Sequence, residues 1–383
     1  MNPKRHLLVL DPIAFTGGSK IATENILRLL NSEQIRITVL TADGDSWQWP
    51  LLKRVHLFEP KFLSQQEQGI PYFLRHMLIA FQLVLTRLRF GSLDIAIGAS
   101  GPGIDLALYL SKSILGFRLV QLIHGPVARS HTIGRCLRAA DEVHYLNSAR
   151  NSLLSALYVL TATPHDLISP QFRIMQNGLP DHAWPSRCQH ERPVIFWAAS
   201  LLKWKGLETL LNALKRIEPR ARPETQICYI RPKETQLPVS DAPIVIDAVH
   251  WHENPAHLDE IRTTANIFVS TSHNEPFGLS ILEAMAAGHC VLIPADDAYW
   301  DRTLKNGIDC IKYRPGDTLD LANKLHAISG DMDRIRSLGN AAAKIASGYR
   351  AKIRYAAIVD SLQEKESPLE DRQTTQANTE NTP

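Results

Sequence analysis

Two carboxylates, Glu275 and Glu283, bracket a glycine-containing loop that runs into an apolar stretch at 279–287. Gly278 leaves the backbone open to close approach by a ligand, and Pro276 suits a first helical turn, where a missing N–H costs nothing. The amides that follow, from Leu279 and Ser280 onward, lack intrahelical partners and sit at the positive end of the helix dipole. Such a junction holds an anion, for example a diphosphate. Were both acids helical, they would stand roughly 12 Å apart along the axis and about 80° apart around it. With Glu275 in the loop instead, one acid lies on each side of a diphosphate. A nucleoside diphosphate sugar has that shape, with hydroxyls at both ends and charge between. The same stretch also reads as an amphipathic core helix with Leu279, Leu282, Ala286 and Ala287 toward a sheet. That reading leaves the preceding Glu-Pro-Phe-Gly unexplained.

Other residues suggest chemistry less specifically. Gly17-Gly18 follows a first apolar strand, where a tight turn lets phosphate approach the amides, although Gly-Gly is also a common turn. No G-x-G-x-x-G follows it, so dinucleotide binding is poorly supported. His124 ends a strand expected at 118–123, at the carboxyl edge where ligands gather in α/β sheets. Lys203 and Lys205 lie in a loop after a strand at 194–198. Trp251 has an aromatic face on which a base can stack, and the surrounding His250, His252 and Glu253 rarely converge on a metal without distant ligands. Asp94, Glu24 and Asp105 are further candidate acids in the first half of the chain, with no motif to support them.

The elements that would position these residues alternate along the chain. Strands are expected at 7–10, 35–41, 95–98, 118–123, 142–146 and 173–175, with helices between them, including 19–30. After prolines and polar residues at 181–193, a second set follows, with strands at 194–198, 226–230, 244–247, 267–270 and 291–293. Its helices are expected at 206–215, 256–264, 279–287 and 319–329. This alternation predicts two parallel sheets with helices on both faces, and a cleft between them. A helix at 349–362 is the last ordered element expected, and from Gln363 onward the polar composition predicts a disordered tail.

Composition narrows the class. The chain has 383 residues, enough for two domains, and a net charge of +3, too weak to argue for nucleic acid. Five scattered cysteines without a CxxC pair point to a reducing compartment and no zinc site. The apolar start is too short for a signal-peptide core, which makes a cytoplasmic protein the default. The segment 72–90 is apolar between arginines. Its uninterrupted core falls short of the ~20 residues a spanning helix needs, leaving a buried helix or one lying at the inner face of a membrane.

The segment 274–288 resembles the E-x7-E signature of the family 4 retaining glycosyltransferases, of the glycosyl transferases group 1 type. The resemblance is strong over 194–345 and loose over 6–180. It implies a GT-B fold, α/β with two facing Rossmann-like domains and an interdomain cleft. Residues 1–180 would form the acceptor domain, 181–193 the linker and 194–345 the donor domain. The helix 346–362 would cross back to the first domain, and 363–383 would form the tail. By the same resemblance Glu275 and His124 serve the donor sugar at the catalytic centre. Phe277, Gly278 and Leu279 lie on the sugar side, Ser280 on the diphosphate and Glu283 on the ribose. Gly17 and Gly18 face the diphosphate across the cleft.

Lys205 matches a diphosphate-clamping lysine, while Ser200 stands where the family has an arginine, so one hydrogen bond replaces a bidentate fork. The partners implied are a nucleotide sugar and a saccharide or lipid-linked saccharide acceptor, with no metal and no further cofactor. Cell-surface polysaccharide or lipopolysaccharide synthesis is the expected setting. A sugar-nucleotide epimerase, or a non-catalytic nucleotide-sugar binder that acts with a partner, remain alternatives.

Overall fold

The computed structural model describes residues 4–14, 17–64, 66, 68–161, 167–189, 191–232, 235 and 237–364. The first sheet contains β1 (Arg5–Asp11), β2 (Ile35–Thr41), β3 (Leu52–His56), β4 (Ile95–Gly98), β5 (Arg118–Ile123), β6 (Glu142–Leu146) and β7 (Phe172–Met175). All pairs are parallel, in the order β3-β2-β1-β4-β5-β6-β7. Its helices are α1 (Gly18–Leu27), α2 (Lys61–Ser64), α3 (Gly69–Phe90), α4 (Leu106–Leu115), α5 (His131–Ala139) and α6 (Arg150–Thr161).

The second sheet contains β8 (Val194–Ser200), β9 (Glu224–Ile230), β10 (Val249–Glu253), β11 (Ile267–Val269), β12 (Cys290–Pro294) and β13 (Ile311–Tyr313), again parallel, in the order β10-β9-β8-β11-β12-β13. Its helices are α7 (Leu207–Arg216), α8 (Leu258–Thr263), α9 (Leu279–Ala287), α10 (Tyr299–Thr303), α11 (Thr318–Ser329) and α12 (Met332–Ala346). Two more, α13 (Ala351–Arg354) and α14 (Ala356–Gln363), end the described chain.

Each strand order reverses once, between β1 and β4 and between β8 and β11. Loops leaving the carboxyl ends of such strands part in opposite directions and leave a crevice, which is where ligands bind in open α/β sheets. Period-two alternation puts Leu8, Leu10 and Leu119 on the face covered by α3 and α4, and Leu7, Val9 and Val120 on the other. That second face carries α1 and α14, and its core continues into the second domain through Tyr349, Ala351 and Tyr355. The Ser361 hydroxyl of α14 donates to Glu142 at 2.6 Å, and Arg118 donates to the Ser361 carbonyl, also at 2.6 Å. Burial pushes the Glu142 carboxyl up, but hydrogen bonds from His144 and Ser361, with the Arg118 charge, overcome it and hold the pKa at about 2.

Several expectations need correction. The strand read at 244–247 is absent, and the edge strand is β10, built from the His-Trp-His-Glu segment itself. Cross-strand bonds hold it there, His252 to Gln226 at 2.8 Å and Tyr229 to Glu253 at 3.1 Å. Trp251 is committed too, with its indole N–H on the Ile244 carbonyl and its ring edge-on to Tyr229. The short edge strands β3 and β13, and helix α12, were not read from the sequence. Pro276 precedes α9 in the loop instead of entering its first turn. The terminal helix breaks at Tyr355 into α13 and α14, and Gln363, placed in the tail by composition, ends α14. The rest of the expected tail, 365–383, lies outside the described residues, as does Lys233.

One buried group gives the fold a pH signature. His76 of α3 is fully buried with its ring edge-on to Tyr72, and neither ring nitrogen has a hydrogen-bond partner among the described residues. Burial, helped by the Arg75 charge, lowers its pKa to about 4. The unfolded chain takes up a proton near pH 6.5 that the folded chain refuses until about pH 4, so stability falls as pH drops through that window. Melting temperatures at pH 7.5 and pH 5 should differ, and His76→Leu should shrink the difference. An unchanged difference would remove His76 from the account.

Candidate active site

The donor side forms at the reversal between β8 and β11, where two loops are laced together. After β8, Leu201 and Leu202 are buried anchors and Lys203–Lys205 form a single 3-10 turn. Gly206 follows with φ +68°, and a Cβ there would run into the Thr271 carbonyl of the second loop. The Thr271 hydroxyl donates to the Lys205 carbonyl at 2.8 Å and accepts from the Trp197 indole at 3.0 Å. The His273 amide donates to the Trp204 carbonyl at 2.9 Å. These bonds carry the Lys205 ammonium over the Trp204 ring and onto Glu275, with Nζ to Oε2 at 2.6 Å. Gly206→Ala should cost about 2–4 kcal/mol of stability through backbone strain and the clash. A denaturant titration reads it, and a loss below about 0.5 kcal/mol would mean that the two loops are not locked together.

Helix α9 opens at Gly278, whose φ of +79° turns the chain; a Cβ there would sit 2.9 Å from the Glu275 and Ile281 side chains. The following amides of Leu279 and Ser280 meet no acceptor among the described residues, as the first turn of a helix requires. Both residues are half-buried. Leu279 packs against the core that Ile281, Leu282, Met285 and their neighbours fill. The Phe277 side chain is 2% exposed and packs on Tyr299, Trp300 and Tyr349, so it anchors the loop and leaves only its backbone for a ligand.

Glu283 lies one turn further along α9, and Arg262 of α8 donates to its Oε2 at 2.7 Å. Arg262 also pairs with Asp259 at 2.8 Å. Burial raises the Glu283 pKa, and the Arg262 charge acts against that. With Oε2 on the guanidinium, Oε1 remains to accept a hydroxyl. Arg262 was not foreseen, because its link to Glu283 spans 21 residues and two elements. Ser200 ends β8, half-buried, and Lys203, in the loop that follows, is exposed.

The first domain presents the opposite wall. Gly17 caps α1 and lines a crevice with Asp11, Lys20, Ala99 and Ser100 at the first reversal point. The Cβ direction of Gly18 is open for 4 Å. Below it the buried Lys20 ammonium bridges Asp11 at 2.9 Å and Asp43 at 2.8 Å, and the Trp47 indole donates to Asp11 at 2.7 Å. This network ties α1 to the ends of β1 and β2 and so fixes where the glycine amides lie.

His124 follows β5, and its neighbour Gly125 approaches the second domain directly: a Cβ there would lie 3.8 Å from Pro276. The Thr23 hydroxyl of α1 donates to the Ser19 carbonyl at 2.8 Å, so at 3.5 Å its oxygen accepts from His124 Nε2. Nδ1 is then an acceptor, with no partner among the described residues. Burial lowers the His124 pKa to about 4, and the ring is neutral near pH 7. The structure thus gathers Gly17, Gly18 and His124 on one wall, and Ser200, Lys205, Glu275 and the start of α9 on the other. Asp105 lies fully buried under the first wall, with one carboxylate oxygen accepting from Gln121 and the Ser100 and Gly101 amides. No group of three His, Cys, Asp or Glu side chains suited to a metal occurs among the described residues.

Residues 180–345 match the family described as Glycosyl transferases group 1. A stretch of 95 residues is 34% identical to the D-inositol 3-phosphate glycosyltransferase of Nocardia farcinica (strain IFM 10152), covering 25% of this chain and 21% of that protein. The match thus spans about a fifth of that relative's length. Among solved structures, HepE of Anabaena in complex with UDP and glucose superposes with a TM-score of 0.69 at 17% identity, covering 94% of this chain and 99% of that one. Sucrose-phosphate synthase from Thermosynechococcus elongatus gives 0.69 at 16% identity, over 98% and 100%. WaaG, a glycosyltransferase involved in lipopolysaccharide biosynthesis, gives 0.67 at 14%, over 94% and 100%. The fold is GT-B.

Proposed function

We propose that this chain is a glycosyltransferase that moves a sugar from a nucleoside diphosphate donor to a hydroxyl, with retention at the anomeric carbon. The observation that carries the reading is the convergence of Lys205, Glu275 and the open amides of α9 at one sheet reversal, with Glu283 further along the same helix. Each meets one part of such a donor: Glu275 the sugar hydroxyls, the amides and Lys205 the diphosphate, and Glu283 the ribose. The family match over 180–345 supports the class. HepE, solved with UDP and glucose, makes a uridine nucleotide the first donor to try. The lipopolysaccharide enzymes WaaG and WaaB among the similar folds favour a saccharide or lipid-linked saccharide acceptor, met at the cytoplasmic side of a membrane.

In the reaction the bond from the anomeric carbon to the diphosphate oxygen breaks, and a bond to the acceptor oxygen forms on the same face. The acceptor proton passes to the departing diphosphate. The protein's task is to stabilise that leaving charge, which Lys205, the α9 amides and the Gly17-Gly18 turn do from fixed positions without a metal. His124, neutral with its proton on Nε2, accepts a hydrogen bond from a donor-sugar hydroxyl at Nδ1 without adding charge beside the forming oxocarbenium.

Nucleotide release from UDP-sugars, with and without a panel of saccharide and lipid-linked acceptors, tests the reading. Release that depends on acceptor and yields an α-linked product from an α-linked donor is expected. Interconversion of the sugar without release would make the chain an epimerase, and binding without turnover would make it a non-catalytic partner.

A further inference from the structure

Helix α3 is held from one side only. Arg75, His76, Ile79, Leu83 and Thr86 are buried against the first sheet and its neighbours. On the opposite side Ile70, Phe73, Met77, Phe81, Leu85 and Leu88 fall within an arc of about 120° and form a stripe about 30 Å long. Each exposes between 46% and 77% of its surface. Phe58 and Phe62, also exposed, precede α3 in the chain, and the Phe58 backbone is bonded to the Gln82 side chain of that helix. Contiguous apolar patches of this size are rare on free monomers and mark an interaction surface.

The charges around the stripe say what covers it. Arg89 flanks it on one side, about 100° from its centre, where an aliphatic stem can run along an apolar surface with the head in water, while Arg87 on the other side donates to the Ile114 and Leu115 carbonyls. The four helices on this face of the sheet, α3 to α6, contain no Asp or Glu at all. They add Arg135, Arg138 and Arg150 to the arginines of α3, and Lys112, which pairs with Asp141 at 2.7 Å. An apolar stripe among helices charged with one sign fits an anionic phospholipid surface and disfavours a second copy of the same basic face. The helix cannot turn to cross the bilayer, because its buried side carries the Arg75–Glu59 ion pair at 2.7 Å and packs on the sheet.

We propose that the outer face of the first domain docks on an anionic phospholipid bilayer, with α3 lying in the interface plane. The Tyr72 hydroxyl, near the start of α3, donates to the Gly103 carbonyl at 2.7 Å, in the loop that follows β4. That loop begins at Ala99 and Ser100, which line the crevice beside Gly17. The bilayer would then lie next to the cleft mouth, where a lipid-linked acceptor can enter. This last step rests on the transferase reading; the docking itself does not.

The test is sedimentation of the full chain with phosphatidylcholine vesicles and with mixed phosphatidylcholine–phosphatidylglycerol vesicles. Partition into the mixed vesicles is expected, weakened by salt and at least about tenfold weaker for the F73E/F81E double variant. Both positions are exposed, and an unchanged thermal melt confirms that the variant is folded. Failure of the intact chain to partition, or equal partition of the variant, would overturn the proposal. So would a dimer in light scattering that the same variant dissolves while vesicles stay unbound. None of these readings involves a nucleotide, so docking can fail while the donor reading stands.

Discussion

Glu283→Ala should weaken donor binding by about 10-fold to 150-fold. The estimate takes one hydrogen bond from a ribose hydroxyl to the free charged oxygen, at about 1.5–3 kcal/mol. Arg262 makes the effect specific. It fixes the carboxylate through Oε2, so the free oxygen is already oriented when the donor arrives. The same substitution leaves a buried guanidinium with Asp259 alone and should lower stability, so binding must be read well below the melting temperature.

Acid should act in the same direction. Burial raises the Glu283 pKa, so protonation removes the acceptor at a pH above the usual range for a glutamate. Donor affinity should fall as pH drops through that value, and the fall should vanish in Glu283→Gln. Calorimetric titration of UDP at several pH values reads both effects. An affinity in Glu283→Ala within about threefold of the parent would exclude the ribose contact.

Lys205→Met should lower turnover by about 10²–10³-fold while donor affinity changes less, since the leaving diphosphate gains charge only as the bond breaks. The aliphatic replacement keeps the packing over Trp204 and removes only the charge. It also releases Glu275, whose carboxylate is held at 2.6 Å by the ammonium. Lys205→Arg restores the charge but not the compact geometry, and a partial recovery is expected. The departure at Ser200 strengthens this prediction. With no arginine beside it, Lys205 is the cation these loops bring to Glu275, and its loss leaves the α9 amides and the Gly17-Gly18 turn. Steady-state kinetics with one donor and one acceptor would decide it, and a turnover loss under about fivefold would take Lys205 out of the chemistry.

How much of this was legible in the sequence follows the range of the forces involved. Strands buried on both faces read as apolar runs, unbroken at 95–98 and interrupted only by Gln121 after Arg118 at 118–123, and their bounds agree with β4 and β5. Edge strands did not read this way. β10 is made of His, Trp and Glu because one side of it pairs and the other meets water, and its stability comes from partners on β9 that periodicity does not reveal. The helix expected at 279–287 has the bounds of α9, but Pro276, a good first-turn residue, lies in the loop before it, because the chain turns at Gly278.

The candidate site divides in the same way. The motif residues Glu275, Gly278 and Glu283 carry a local pattern and could be picked out. Their supports could not. Arg262, Thr271, Trp197 and the Lys20–Asp11–Asp43 network act across elements, and no spacing along the chain announces them. Phe277 shows the reverse error: a residue inside the motif whose side chain serves the aromatic cluster with Tyr299, Trp300 and Tyr349.

The central claim is that the cleft wall formed by Lys205, Glu275 and α9 holds a nucleoside diphosphate sugar. Calorimetric titration of the purified chain with UDP, ADP, GDP and their glucose conjugates, in the presence of a metal chelator, tests it most directly. The account predicts saturable binding of one base in preference to the others, retained under chelation and lost in Glu283→Ala. Absence of binding by every diphosphate, or binding of equal strength in Glu283→Ala, would contradict it.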